Sequence, residues 1–247
     1  MKIAKKSLFI HALLLGVSLI LFASTTYAYF TSHKQSTGTI TAGNVSIALS
    51  EAAVVADSGG NLVEDTSSPR IFGGTEEVFR DYGKIYPGQS IYKDPTILNT
   101  GTENAFIAAK VIITDGDGDI HRVMGFPGYD DIDITWLIGG GLLGETAHFG
   151  TWNGIENVTY NDKFAMIQIP DRQEGRYEFC IFMLSPFEQG EDVTVFEQMA
   201  IPPEWTSEQM KELVDIKITV KAYGVQVFGF ESCFEAMTKA FPGHFDF

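Results

Sequence analysis

Residues 114–119 read Thr-Asp-Gly-Asp-Gly-Asp, so Asp115, Asp117 and Asp119 fall on alternate positions of a glycine-rich turn. Hard cations take oxygen ligands at such spacing, and these three match the first ligand positions of an EF-hand loop. The stretch then departs from that pattern. Ile120 stands where the loop needs glycine, and Phe126 stands where it needs a bidentate glutamate. Two readings stay open: a calcium site on the three aspartates, or a plain hairpin turn behind Ile113. No other cofactor is expected.

The remaining chemistry-bearing residues form no known catalytic pattern. His11, His33, His121, His148 and His244 include no His-Glu-x-x-His pair, and no Gly-x-Ser-x-Gly elbow is present. Gly139-Gly140-Gly141 lacks the Lys and Ser/Thr of a phosphate-binding loop. No catalytic residue is nominated, and a non-enzymatic role is expected. Cys180 and Cys233 are the two cysteines, each in apolar surroundings. A disulfide between them would be worth about 3–4 kcal/mol by loop entropy. Two buried free thiols are the equal alternative. Asn44-Val45-Ser46 and Asn157-Val158-Thr159 match a glycosylation acceptor motif too short and frequent to carry an argument.

These residues need a scaffold. The chain has 247 residues, 45% hydrophobic and 20% charged, the balance of a globular protein. Its N-terminus has the plan of a secretion signal: Lys2, Lys5 and Lys6, an apolar run over 8–23, then Thr26 and Ala28 at the −3 and −1 positions. A signal peptide is expected over 1–28, cut between Ala28 and Tyr29, with membrane contact only during export. An uncleaved anchor is the competing reading, but the run is short and His11 and Ser18 interrupt it. Losing those three lysines takes the formal charge from −15 to −18. A surface that acidic disfavours nucleic acid and anionic lipid.

Strands are predicted over 37–49, 91–98, 105–114, 131–138, 164–169, 177–184, 193–201 and 214–222, separated by Gly, Asp, Asn and Pro clusters. In 105–114 one face carries Ile107, Ala109, Val111 and Ile113, the expected core side. In 214–222, Ile216, Ile218, Val220 and Ala222 alternate with Lys217, Thr219 and Lys221. Residues 51–75 read as a long loop or hairpin excursion. Short helices are predicted over 202–213 and 230–241. The whole is all-β, a sandwich with a few short inserted helices.

Three stretches resemble the TasA/camelysin family, whose members leave the cell through a dedicated SipW-type signal peptidase. The first is Ala28-Tyr29-Phe30-Thr31-Ser32 followed by Thr39-Ile40-Thr41-Ala42-Gly43-Asn44-Val45-Ser46-Ile47. The second is Tyr86-Pro87-Gly88-Gln89, then Asn99-Thr100-Gly101-Thr102 and Ala105-Phe106-Ile107. The third runs from Ala222-Tyr223-Gly224 to Phe230-Glu231. His33 departs from the family, where an acid is common, and so does Gly224, where alanine is usual. The resemblance implies one jelly-roll-like domain over 29–247, with an N-terminal arm at 29–43 and an enlarged middle at 118–213. It implies a secreted protein of a Gram-positive-type cell, a fibre-forming or accessory subunit of an extracellular biofilm matrix. The implied partners are other copies of the chain, other matrix proteins and the signal peptidase. Camelysin members have also been classed as metallopeptidases, so a secreted peptidase is the runner-up, with a surface binding module built on the middle region as the third reading.

The arm is polar, Thr-rich and strand-like, and cleavage frees it. A freed strand can add to an open sheet edge of a neighbouring molecule, with Tyr29, Phe30 and Ile40 as its apolar contacts. It can equally fold back as the first strand of its own domain. The resemblance favours donation between molecules.

Overall fold

The structure is a computed structural model that describes residues 31–32, 44–72, 86–114, 138–169, 176–201, 203, 206 and 217–245. The chain divides into two compact units, Met1–Thr31 and Ser32–Phe247. The described residues form sixteen strands in an all-β sandwich with one short described α-helix. Ser32 belongs to the two-residue strand β1 (Thr31–Ser32).

The large sheet has seven strands in the order β1-β16-β8-β13-β12-β11-β10. Its centre is β8 (Ala105–Thr114), flanked by β13 (Arg176–Met183) and β16 (Lys217–Gln226), both antiparallel to it. Beyond β13 come β12 (Phe164–Ile169), β11 (Ile155–Tyr160) and β10 (His148–Trp152). The stretch expected as an enlarged middle therefore supplies four of the seven strands of the large sheet. Asn153 and Gly154 join β10 to β11 with φ of 49° and 81°. That is the positive pair a two-residue hairpin turn demands, and Asn-Gly is the sequence that tolerates it.

Two smaller sheets lie over one face. One has the order β14-β7-β2-β5, built from β14 (Asp192–Thr194), β7 (Thr96–Asn99), β2 (Ile47–Glu51) and β5 (Ile71–Phe72). The other has the order β3-β4-β6-β15-β9, built from β3 (Val54–Ala56), β4 (Leu62–Glu64), β6 (Ser90–Tyr92), β15 (Gln198–Ala200) and β9 (Ile138–Gly139). Between the layers, Ile107, Ala109, Val111 and Ile113 meet Ile47, Leu49, Ile91 and Ile97 in one apolar core.

The alternation in β8 puts that face inward as expected, but its other face is buried as well. Phe106 and Ala108 are each under a tenth exposed. The cause is α1 (Cys233–Ala240), which lies on the outer face with Phe241 and Phe245 and closes a second core over Phe106, Phe182, Tyr223 and Val225. Its start is fixed by a capping box. Ser232 Oγ accepts from the Glu235 amide at 3.2 Å, and the Glu235 carboxylate accepts from the Glu231 amide at 2.8 Å.

Two predicted strands are broken. The run 91–98 divides into β6 and β7 at Lys93-Asp94-Pro95, and 193–201 divides into β14 and β15. In both cases the chain crosses from one small sheet to the other, which one straight strand could not do. Of the 51–75 excursion, the described part to Phe72 is built on a hairpin, β3 to β4, with self-capped turns, before the chain enters β5. Asp57 accepts from the amides of Gly59 and Asn61, and Asp65 from Ser67. The predicted strand 131–138 lies outside the described residues except for its last position, and the helix 202–213 lies almost wholly outside them.

Candidate functional site

The second stretch that carries the resemblance, and Gly224 of the third, have local structural roles. Tyr86-Pro87-Gly88-Gln89 is a tight turn in which Gly88, at φ 74°, follows proline, and the Gln89 amide returns to the Tyr86 carbonyl at 3.1 Å. Gln89 Nε2 then reaches the Gly60 carbonyl at 2.8 Å and holds the β3–β4 hairpin. Asn99-Thr100-Gly101-Thr102 is a latch. Its amides at 100 and 101 donate to the Ser46 carbonyl, and the Thr102 amide donates to the Asn44 carbonyl. Buried Asn99 ties the turn together through Glu103, Phe187 and the Gly101 amide. A Cβ at Gly101 would sit 2.2 Å from the Asn44 carbonyl oxygen, so only glycine fits. Gly224 has a similar reason: a Cβ there would lie 2.9 Å from Ile47 Cγ2, between the two layers. An alanine there would force the Ile47 side chain to shift.

Of the arm Tyr29–Gly43, the structure describes Thr31 and Ser32, and Ser32 takes the edge of the large sheet beside β16. Tyr29, Phe30 and Ile40 lie outside the described residues, as do Ala28 with the cleavage position and Asp115, Asp117 and Asp119. Among the described residues, no group of three or more His, Cys, Asp or Glu is placed to hold a metal. His148 is exposed on β10. His244 follows α1, its Nδ1 3.4 Å from the Tyr223 hydroxyl. No described helix is long and apolar enough to cross a membrane.

The disulfide reading is corrected. Cys180 and Cys233 are free and buried in the core under α1. The Cys233 thiol donates to the Ile107 carbonyl at 3.2 Å. Burial pushes the Cys180 thiol up to about 12 and raises Cys233 as well. The thiolate is the reactive form, so both groups are held inert by the fold. An aromatic disulfide reagent at pH 9 should therefore find no thiol in the folded protein and two after unfolding in denaturant. No thiol after unfolding would restore the disulfide.

The densest polar cluster in the described chain was not foreseen from sequence. Lys93 Nζ meets Glu51 Oε1 at 2.5 Å, with the two side chains 1% and 2% exposed. Next to them, Arg70 grips Asp94 at 2.6 Å and also reaches Thr96 Oγ1 and the Asp94 carbonyl. The other Asp94 oxygen accepts from the Ala52 amide at 2.7 Å. Tyr92 lies at the rim, its hydroxyl 3.4 Å from Asp94. Burial, and then the negative charges of Asp94, Glu64 and Glu197, push that phenol up to about 12. Two carboxylates face two cations, and the network ties β2, β5 and the β6–β7 crossing together. Glu51 Oε2 alone among its described buried polar atoms has no hydrogen-bond partner. The sequence signal was Lys93-Asp94-Pro95, two charges and a proline inside an apolar run.

Comparison with known protein families, with curated proteins and with solved structures finds no match in any of the three.

Proposed function

We propose that this chain is a secreted structural protein of an extracellular matrix, which associates with copies of itself through its N-terminal arm. The observation that carries the reading is the place of Ser32, a residue of the arm, in a strand at the edge of the largest sheet. A segment that can pair at a sheet edge can do so with its own sheet or with another molecule's, since main-chain groups do not distinguish the two. The signal-like segment before it and the acidic composition support an extracellular place. The signal peptidase and other matrix proteins are the partners that go with this reading.

A donated strand of roughly ten residues forms main-chain bonds worth about 1 kcal/mol each, net. Tyr29, Phe30 and Ile40 add roughly 1.5–3 kcal/mol each where fully buried. Association itself costs about 4–15 kcal/mol. The balance is small, so assembly is concentration-dependent.

The test compares protein beginning at Tyr29 with protein lacking Tyr29–Thr37. The full-length mature chain should scatter light increasingly with concentration. The shortened chain should stay a monomer with unchanged circular dichroism, because β1 contributes only two residues to the sheet. Filaments from the shortened chain would remove the arm from the assembly. Its unfolding would make the arm an internal strand of the domain.

A further inference from the structure

The large sheet has two edges, β1 beside β16 and, at the far end, β10. Among the described residues β10 pairs on one side only, with β11. On its other side no strand of the described residues pairs with its main-chain groups. Edge strands are normally guarded by lysine, proline or an inward charge. β10 reads His148-Phe149-Gly150-Thr151-Trp152 and has none of these. Its one irregularity is the register shift between Gly150 and Trp152, which leaves His148, Phe149 and Gly150 in regular pairing. Phe149 projects from that regular part and is 73% exposed.

We infer that β10 is the acceptor edge for self-association, pairing with the arm of a second copy so that the large sheet of one molecule continues into the next. This rests on the self-association reading above and names its missing half. The occupant follows from charge and topology. The whole chain carries −15, so most approaches of two copies are repulsive. The arm at 29–43 contains Lys34 and no acid, and β10 contains neither acid nor lysine. This join therefore brings no like charges together, and Lys34 would approach a strand whose neighbour β11 carries exposed Glu156. The two edges also differ from one another. A join between unlike edges leaves a free edge of each kind and grows without limit, whereas β10 against β10 would stop at a dimer.

The experiment uses four samples of the mature chain beginning at Tyr29, followed by sedimentation velocity and light scattering. They are the unaltered chain, the chain lacking Tyr29–Thr37, Phe149→Lys with Thr151→Lys, and an equimolar mixture of the two variants. Both substituted side chains are exposed, and the added positive charge lowers the net repulsion between copies, so lost assembly points to this edge, through lost pairing or through the new lysines meeting Lys34. The unaltered chain should form species larger than dimers. Each variant alone should be monomeric with native circular dichroism. The mixture should form 1:1 dimers and nothing larger, because one variant supplies only an arm and the other only an edge. Should the double substitution fail to fold, Phe149→Ser, which removes only the exposed ring, should weaken association at least about tenfold. An unchanged association constant there overturns the assignment. Continued growth by the lysine variant places the acceptor elsewhere while the arm keeps its role. Dimers of the armless chain that the lysines abolish mean β10 pairs with β10, which also overturns it. An unaltered chain that stays monomeric at every concentration removes both the inference and the reading beneath it.

Discussion

Lys93→Met lowers stability by about 3–5 kcal/mol, read as a fall in the urea midpoint at unchanged slope. The substitution keeps the length of the stem but removes the charge facing Glu51. The carboxylate then stays 98% covered with its close cation gone, and its second oxygen is already unpartnered. A buried charge without compensation is far costlier than the pair is beneficial. The informative sample is the double variant Lys93→Met with Glu51→Leu. Two apolar groups of similar volume recover most of the loss, since the pair repays little more than its own desolvation. A single variant within 1 kcal/mol of the parent would mean that water reaches Glu51.

Val220→Asp unfolds the domain, while Lys221→Asp, one residue on, changes stability by less than about 1 kcal/mol. Val220 is 1% exposed in the core between the layers. An aspartate there has no cation and no water, and the several kcal/mol it costs compare with the whole stability of a typical domain. Lys221 points to the other face, half-buried, directly across from Lys110. Lys110 is already paired with Glu178 and with the His244 carbonyl. An aspartate at 221 replaces a like-charge neighbour by an opposite one, so its small effect has no reason to be destabilising. Thermal melts of the two variants decide the matter. Equal losses would show that the register of β16 is wrong.

The parts of the fold legible in the sequence were those with local period. Residues 105–114 and 164–169 form strands over those bounds, and the helix foreseen near 230–241 forms at Cys233–Ala240 behind its Ser-x-x-Glu box. What failed depended on distant partners. The burial of Phe106 and Ala108 comes from a helix more than a hundred residues later, and no window on β8 contains it. The Lys93–Glu51 pair spans 42 positions. The break at Lys93-Asp94-Pro95 was visible as two charges in an apolar run, but the flanking hydrophobics gave one continuous period. The β10–β11 hairpin had its Asn-Gly turn in plain view, and only the weak alternation around it hid the strands. Of the candidate site, Gly101 and the Asn99 turn were recognisable as a turn, but their latch onto Ser46 was not. The thiols of Cys180 and Cys233 could not be assigned, because apolar surroundings suit a buried disulfide as well as buried thiols.

The position of β8 has a consequence for when the chain can fold. Its neighbours β13 and β16 and the helix that seals its outer face all come later in the chain, and two of the three lie beyond residue 216. Pairing at such separation is slow, because long loops must close before any contact rewards them. A chain emerging from its N-terminus therefore holds an unsatisfied centre, with β8 bare on one side and on its outer face, until residues 217–245 have joined it. By placing both β16 and its covering helix so far along the chain from β8, this topology makes completion of the large sheet a late step of folding.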